Sequence, residues 1–332
     1  MASDIIRVGM IGCGGNARGH MRRLLDIEGV EIVGLCDPSE DARKASIEAN
    51  PTLADVPQFS DYRELLDTVE MDAVEISTPH TTHFEQIMAS LDRGLHVLTE
   101  KPMVCTVPDA KEVVAKAEET GLVVGVSYQR HVMAPYRYCR EVILGGEMGA
   151  PHFISCLQSQ NWYRGQVGRG TWRSKMALSG GGQLNDSGSH LLDIVLWMTD
   201  LQPAEVFAYI DNLGSEVDIL TSMSVKFDGG CMASFSVVGH AVNFFEEITI
   251  WCENGTLAIR GNDVWRWDGG EERRIVSGEE LGRTWNPDQN FIATIRNQEE
   301  IQAPPSCGLR VIQLTEAAWR SGDSGERAPV VR

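Results

Sequence analysis

The chain has no Cys-x-x-Cys pair, no apolar run long enough to cross a bilayer and no excess of basic residues. Its eight cysteines (Cys13, Cys36, Cys105, Cys139, Cys156, Cys231, Cys252, Cys307) stand singly. Several lie within apolar strand-like runs, where a buried thiol is the ordinary outcome. This scatter supports neither a disulfide framework nor a metal-ligand set, so no metal site is expected. Only 29 Lys and Arg face 47 Asp and Glu, a formal net charge of −18. Such a balance repels nucleic acid and anionic membrane surfaces and excludes both as expected partners. The start, Met1-Ala2-Ser3-Asp4, carries no basic region ahead of an apolar stretch. The reading is therefore a cytoplasmic protein. Internal repeats and low-complexity linkers are also lacking, and 321–328 reads as a polar tail loop.

What is present begins at once. Ile5-Ile6-Arg7-Val8-Gly9-Met10-Ile11 is a strand-like run that feeds into Gly12-x-Gly14-x-x-Ala17, the dinucleotide fingerprint in its Gly/Ala form. Gly12 permits the tight turn, Gly14 lets backbone approach a pyrophosphate, and Ala17 lets the helix lie close to the strand. Gly15 and Asn16 complete the candidate phosphate loop. The helix carries an apolar stripe at Ala17, Met21, Leu24 and Leu25, and its N-terminal amides would face the phosphates. A second run, Val30–Cys36, ends at Asp37. A carboxylate there accepts both ribose hydroxyls and repels a 2′-phosphate, so NAD is the expected cofactor. Arg43 and Lys44 lie near enough in sequence to leave NADP open.

Strand and helix then alternate. Asp72–Thr78 is strand-like and stops at Pro79; Thr82 and Glu85 have the spacing of a capping box for a helix faced by Phe84, Ile87, Met88 and Leu91. Leu95–Thr99 runs into Glu100-Lys101-Pro102, a helix striped by Val113, Val114 and Ala117 follows, and Leu122–Val126 closes the series. Strict alternation makes a doubly wound parallel sheet, in which ligands sit beyond the carboxyl ends of the strands, where Asp37, Thr78 and Lys101 fall. After about residue 130 the pattern becomes two-residue alternation with turns at Asp228-Gly229-Gly230, Asn254-Gly255 and Asp268-Gly269-Gly270. The last of these joins Val264–Trp267 to Arg274-Ile275-Val276. The expected fold class is α/β, with a nucleotide-binding domain over 1–130. An α+β domain with a large open, mostly antiparallel sheet is expected over 131–332. An open sheet of this kind exposes a broad apolar–polar face, so a homodimer or homotetramer is expected.

The segment Gly180-Gly181-Gly182-Gln183-Leu184-Asn185-Asp186-Ser187-Gly188-Ser189-His190-Leu191-Leu192-Asp193 is the most informative. A glycine triplet gives way to an amphipathic helix, and Asp186 and His190 have the spacing that shares one helical face. With Gly12-x-Gly14-Gly15, Thr78-Pro79-x-x-x-His83, Glu100-Lys101-Pro102 and a closing Gly308-Leu309-Arg310 helix, the chain resembles the glucose–fructose oxidoreductase/inositol dehydrogenase (Gfo/Idh/MocA) family over nearly its whole length. One departure is His80, where the family often has Asn.

The resemblance implies hydride transfer between a secondary hydroxyl of a sugar, cyclic polyol or sugar derivative and NAD. It gives Lys101, Asp186 and His190 as the catalytic and substrate-binding residues. Lys101 would hydrogen-bond the reacting oxygen. His190 would be the general base, an imidazole with an ordinary pKa of about 6.5. Asp186 would bind a neighbouring hydroxyl or orient the imidazole. Cofactor contacts are implied at Thr78, Pro79, His80, His83, Glu100 and Lys101. Arg173, beside Trp172, is a candidate substrate contact, and Gln129 a candidate nicotinamide contact. Asn161, Trp162 and Tyr163 offer a stacking wall or core packing. Two alternatives stay open: an NAD-using glycosidase that oxidises its sugar transiently, and a non-catalytic NAD-linked sensor.

Overall fold

The computed structural model describes residues 5–261, 263–269, 271–275 and 278–332. Met1–Asp4, on which the leader reading rests, lie outside the described residues, as do Gly270 and Val276 of the last hairpin. The chain divides into two compact units. One comprises Met1–Val104, Pro108–Ser127 and Trp285–Ser306; the other comprises Cys105–Val107, Tyr128–Thr284 and Cys307–Arg332.

The first unit is built on six parallel strands, β1 (Ile6–Ile11), β2 (Val30–Cys36), β3 (Gln58–Phe59), β4 (Ala73–Ile76), β5 (His96–Thr99) and β6 (Val124–Val126), in the order β3-β2-β1-β4-β5-β6. The order reverses at β1/β4, which sets the carboxyl ends of those strands around a crevice. Helices α1 (Gly15–Leu25), α2 (Glu40–Ala49), α3 (Tyr62–Thr68), α4 (His83–Leu91) and α5 (Val107–Thr120) provide the crossovers. The strands are apolar almost without alternation because both of their faces are covered. Val8, Met10, Leu35 and Ala73 are fully buried against Ala17, Met21 and Leu24 of α1. β3, only two residues long, has no periodicity from which to read it.

Two expectations are corrected here. Thr82 does not cap α4: its hydroxyl donates to the Pro79 carbonyl (2.7 Å) and the Thr78 hydroxyl (3.0 Å). A one-turn 3₁₀ helix, His80–Thr82, runs straight into α4, so Thr82 has helical dihedrals and its side chain turns back to the loop. Residues 285–306 belong to the first unit rather than to the second domain. The helix Pro287–Ile295, closed by a reciprocal Asn286/Gln289 capping box, buries Phe291 and Ile292 among the residues of β1 and α1. The Val126 amide on edge strand β6 donates to the Ala303 carbonyl at 2.9 Å. Local patterning shows that a helix is amphipathic but not which core receives it.

The second unit holds nine strands: β7 (Pro151–Ser159), β8 (Pro203–Asp211), β9 (Leu220–Phe227), β10 (Met232–Val238), β11 (Phe245–Cys252), β12 (Gly255–Arg260), β13 (Asp263–Asp268), β14 (Glu271–Ile275) and β15 (Ala328–Pro329). Their order is β14-β13-β12-β11-β7-β10-β9-β8-β15, antiparallel throughout except for the central β7/β10 pair. Ile154 and Cys156 of β7 point inward, as does Ile248 of β11. On the opposite face Phe153, Leu157, Tyr209, Met232 and Trp251 are exposed. The reading of 321–328 as a tail loop is corrected, since the helix Pro305–Ser324 runs through its first half and β15 follows. Among the described residues no helix is long and apolar enough to cross a membrane.

Candidate active site

The β1–α1 turn leaves no room for side chains at its first glycine. Gly12 has φ +105°, and a Cβ there would stand 2.4 Å from the Ser77 carbonyl oxygen. Gly14, the N-cap of α1, is extended, receives no side-chain cap, and a Cβ on it would meet nothing within 4 Å. The first turn of α1 contains no acid, and Gly15 and Asn16 are exposed at its head. Amides at a helix start without an acidic competitor suit a pyrophosphate. Ala17 is fully buried, as close helix–strand packing requires.

Asp37 follows β2 with a fixed carboxylate. Oδ2 accepts from the Cys13 amide (2.9 Å) and Oδ1 from the Ser39 amide (2.8 Å). Both oxygens retain lone pairs for a ribose diol. Arg43 donates to the main-chain carbonyl of Asp37, while Lys44 pairs with Glu40 at 2.7 Å. The residues present therefore fit NAD.

The loops after β4 and β5 are tied together by a histidine. His83 is fully buried, with Nδ1 2.9 Å from the Pro102 carbonyl and Nε2 3.1 Å from the Thr78 carbonyl. Burial lowers its pKa despite these two acceptors. A neutral imidazole has one N–H and donates to one of these carbonyls only, but full burial sets His83 between the two loops rather than at an open cofactor surface. Thr78 donates to Gln86 (2.6 Å), Pro79 is half-buried and His80 is buried. The Lys101-Pro102 peptide is cis, and Lys101 is only 8% exposed.

Behind this loop lies a cluster that sequence reasoning missed. His20 Nδ1 is 2.6 Å from Asp288 Oδ1, and Nε2 is 3.2 Å from Glu100 Oε1 and 3.6 Å from Glu75 Oε1. Arg23 Nε donates to Asp288 Oδ2 at 2.5 Å, and the Ser77 hydroxyl donates to Glu75 Oε1 at 2.6 Å. Burial pushes the Glu75 carboxyl up to about 7. Burial alone would lower His20, but the charges of Glu75 and Asp288 hold its pKa well above the ordinary value. The signal was a histidine inside the Ala17/Met21/Leu24 stripe and a glutamate inside an apolar strand.

In the second unit the helix Gly188–Thr199 carries His190, half-buried, its ring edge-on to Tyr128 at 5.9 Å. Asp186 stands in the turn before this helix, so the shared-face reading is corrected: the helix starts too late to include it. Its Oδ2 accepts from Trp162 Nε1 (2.7 Å) and pairs with Arg173 Nε (3.3 Å), whose guanidinium lies 4.2 Å over the Trp172 ring. Arg173 and Trp162 therefore converge on Asp186, and the indole of Trp162 is core rather than an exposed wall. Asn161 and Gln129 are exposed, and Tyr163 packs on the small core of Trp162, Val217 and Ile219.

The glycine triplet has a cause of its own. A Cβ on Gly182 would lie 2.0 Å from the Asp218 carbonyl oxygen, and the buried Asp218 carboxylate accepts from the amides of Gly182 (2.9 Å) and Leu184 (2.6 Å) and from Trp319 Nε1 (3.1 Å). Burial nonetheless raises the pKa of Asp218. Nothing in the sequence marks Asp218 or Trp319 as its partners.

One buried trio, His131, Asp193 and Cys307, brings ligand-type atoms within 4.8 Å of one another. The imidazole bonds the carboxylate directly at 2.7 Å, and Arg310 hydrogen-bonds the thiol. A cation in that position has no advantage over the bonds already made.

Comparison with known proteins agrees with this geometry. Residues 6–128 match the model of an oxidoreductase family with an NAD-binding Rossmann fold, and residues 136–258 match the GFO/IDH/MocA C-terminal domain. The chain is 31% identical over 232 residues to 1,5-anhydro-D-fructose reductase of Ensifer adhaerens, covering 69% of this chain and 68% of that protein. It is 29% identical over 328 residues to 4-carboxy-2-hydroxymuconate-6-semialdehyde dehydrogenase of Sphingobium sp., covering 92% and 95%. A solved structure, the WlbA dehydrogenase of Bordetella pertussis in complex with NADH and UDP-GlcNAcA, superposes with a TM-score of 0.84 at 25% identity over 99% of both chains.

The two glycines separate fold from cofactor. Gly14→Ala should stay within about 1 kcal/mol of the parent in a denaturant melt. The same change should weaken NAD roughly tenfold or more in a fluorescence titration, because the new methyl stands where phosphate approaches. Gly12→Ala should cost stability itself, on the order of 1–3 kcal/mol. Unchanged NAD affinity in Gly14→Ala would remove the cradle assignment.

The second expectation is a pH effect. A carboxyl whose folded pKa is raised contributes stability below its unfolded pKa and loses it as pH rises through the folded value. For Glu75 that window runs from 4.5 to about 7. Glu75→Gln should raise the melting temperature at pH 8 more than at pH 5. An equal shift at both would show that Glu75 does not titrate there.

Proposed function

The chain belongs to the Gfo/Idh/MocA family of oxidoreductases, and on that premise we propose that it oxidises a secondary hydroxyl of a sugar, cyclic polyol or sugar derivative. The observation that carries this reading is the burial of an ionisable motif residue in each unit. Asp186 is 4% exposed and Lys101 8%, and a charge is kept out of water at such positions only when it is paired or used. The cradle Gly12, Gly14, Gly15, Asn16 and Ala17 holds the pyrophosphate and Asp37 the adenosine ribose, with Thr78, Pro79, His80 and Glu100 lining the way to the nicotinamide. NAD, when bound, supplies the hydride acceptor.

Three residues handle the alcohol. Lys101 donates a hydrogen bond to the reacting oxygen and favours its developing negative charge. His190 takes the hydroxyl proton on its imidazole. Asp186, paired with Arg173 and bonded by Trp162, accepts from a neighbouring hydroxyl and orients the substrate. The relatives point to the same class: one is named as a reductase of an anhydro-sugar, and the WlbA structure holds a nucleotide-linked sugar acid. The test is a panel of inositols, aldoses, anhydro-sugars and glycosides, each followed by NADH absorbance.

Cofactor choice follows from Asp37. A 2′-phosphate would meet its carboxylate at close range, so NAD should bind more tightly than NADP, and Asp37→Ser should narrow or reverse the preference. Tighter NADP binding by the parent would refute this.

Lys101→Met and His190→Ala should each lower kcat about a hundredfold or more while leaving the NAD dissociation constant nearly unchanged. The rate of alcohol oxidation should rise with pH as the imidazole base loses its proton, and His190→Ala should flatten that limb. Asp186→Asn should raise KM and lower kcat together. Near-normal oxidation by His190→Ala with the same pH profile would transfer the base to another group.

A further inference from the structure

The Glu100-Lys101 step is suspended from one carboxylate. Glu100 Oε2 accepts the main-chain N–H of Lys101 at 3.2 Å, and Oε1 meets His20 Nε2, also at 3.2 Å. His20 is 1% exposed, and its other nitrogen is bound at 2.6 Å to Asp288, which is fully buried. Asp288 lies at the start of the helix Pro287–Ile295, outside the residues that either family model matches. From the C-terminal side, His83 Nδ1 lies 2.9 Å from the Pro102 carbonyl.

We propose that His20 is a positioning residue for Lys101: through the Glu100 carboxylate it fixes the main chain from which the lysine side chain departs, and Asp288 fixes His20. The proposal rests on the assignment of Lys101 to the reacting oxygen.

The physical ground is the cost of looseness. A group that must meet a transition-state oxygen loses rate steeply when displaced by as little as about 1 Å. Lysine, on a flexible four-carbon stem, has little rigidity of its own. A buried main-chain anchor supplies what the side chain lacks. The charged and polar groups around His20 come from every element about it: Arg23 from α1, Glu75 from β4 with the Ser77 hydroxyl after it, Glu100 after β5, the Ser127 hydroxyl after β6, and Asp288. In this setting an imidazolium faces three carboxylates, and a neutral replacement would leave the half-buried Glu100 carboxylate with weaker support.

The test compares the full-length parent with His20→Gln, Asp288→Asn, Lys101→Met and the His20→Gln/Lys101→Met double variant. The readouts are kcat and KM on the best substrate of the panel, NAD affinity by titration and thermal midpoint. His20→Gln should lower kcat roughly tenfold or more, with KM and the NAD dissociation constant within about twofold. Asp288→Asn, which keeps an acceptor for the imidazole, should give a smaller loss of the same kind. In the Lys101→Met background His20→Gln should have no further effect on kcat, and it should shift the pH profile of kcat only when Lys101 is present. Equal loss in both backgrounds, or a lowered thermal midpoint with kcat unchanged, overturns the positioning role and leaves Lys101 in place. Parent-like turnover by Lys101→Met overturns the lysine assignment itself.

Discussion

Each unit is arranged around a carboxylate that has been taken out of water and must be satisfied by donors at fixed places. In the first it is Asp288, bound by His20 and Arg23, with Glu100 on the far side of the same imidazole. In the second it is Asp218, which gathers two main-chain amides and an indole. A buried carboxylate without partners costs several kcal/mol, so its donors are held as firmly as it is. In the second unit the two amides belong to the loop that carries Asp186; in the first the imidazole that meets Asp288 also meets Glu100, in the loop that carries Lys101. Glu100 precedes Lys101, and the Gly182–Leu184 amides precede Asp186. The loops that carry the motif residues are therefore tied by buried polar groups as well as by apolar packing.

The first unit was largely legible because its signals are local. A strand entering Gly12-x-Gly14-x-x-Ala17 and an acid at the end of the next strand need only a few adjacent residues to be recognised. The hairpins of the second sheet were legible for the same reason: Asn254-Gly255 and Asp228-Gly229-Gly230 are turn chemistry written in place. The parallel β7/β10 pair at the centre of that sheet was not, since pairing between strands so far apart leaves no mark on either.

The site was legible in its members and not in their connections. Lys101, Asp186 and His190 were named from motif and resemblance, yet Asp186 turned out to be gripped by Trp162 and Arg173, residues read as possible substrate contacts. His83 was read as a cofactor contact and is fully buried between the Thr78 and Pro102 carbonyls. In each case the residue type was informative and the partner was not, because the partner comes from another element. A histidine in an apolar stripe and a glutamate in a buried strand were visible as anomalies. Only the fold shows that His20 and Glu75 answer one another.

The return of residues 285–306 to the first unit has a consequence for synthesis. A nascent chain released as far as Ser127 has all six strands of the parallel sheet but neither Phe291 nor Asp288. At translation rates of about 5–20 residues per second, the roughly 160 residues between Ser127 and Asp288 take on the order of 8–30 s to follow. Throughout that interval the α1 face that will be covered stays open and His20 has no Asp288 to bond. The parallel-sheet unit is thus completed only after Tyr128–Thr284 of the other unit have been made, and until then it depends on whatever shields its uncovered side.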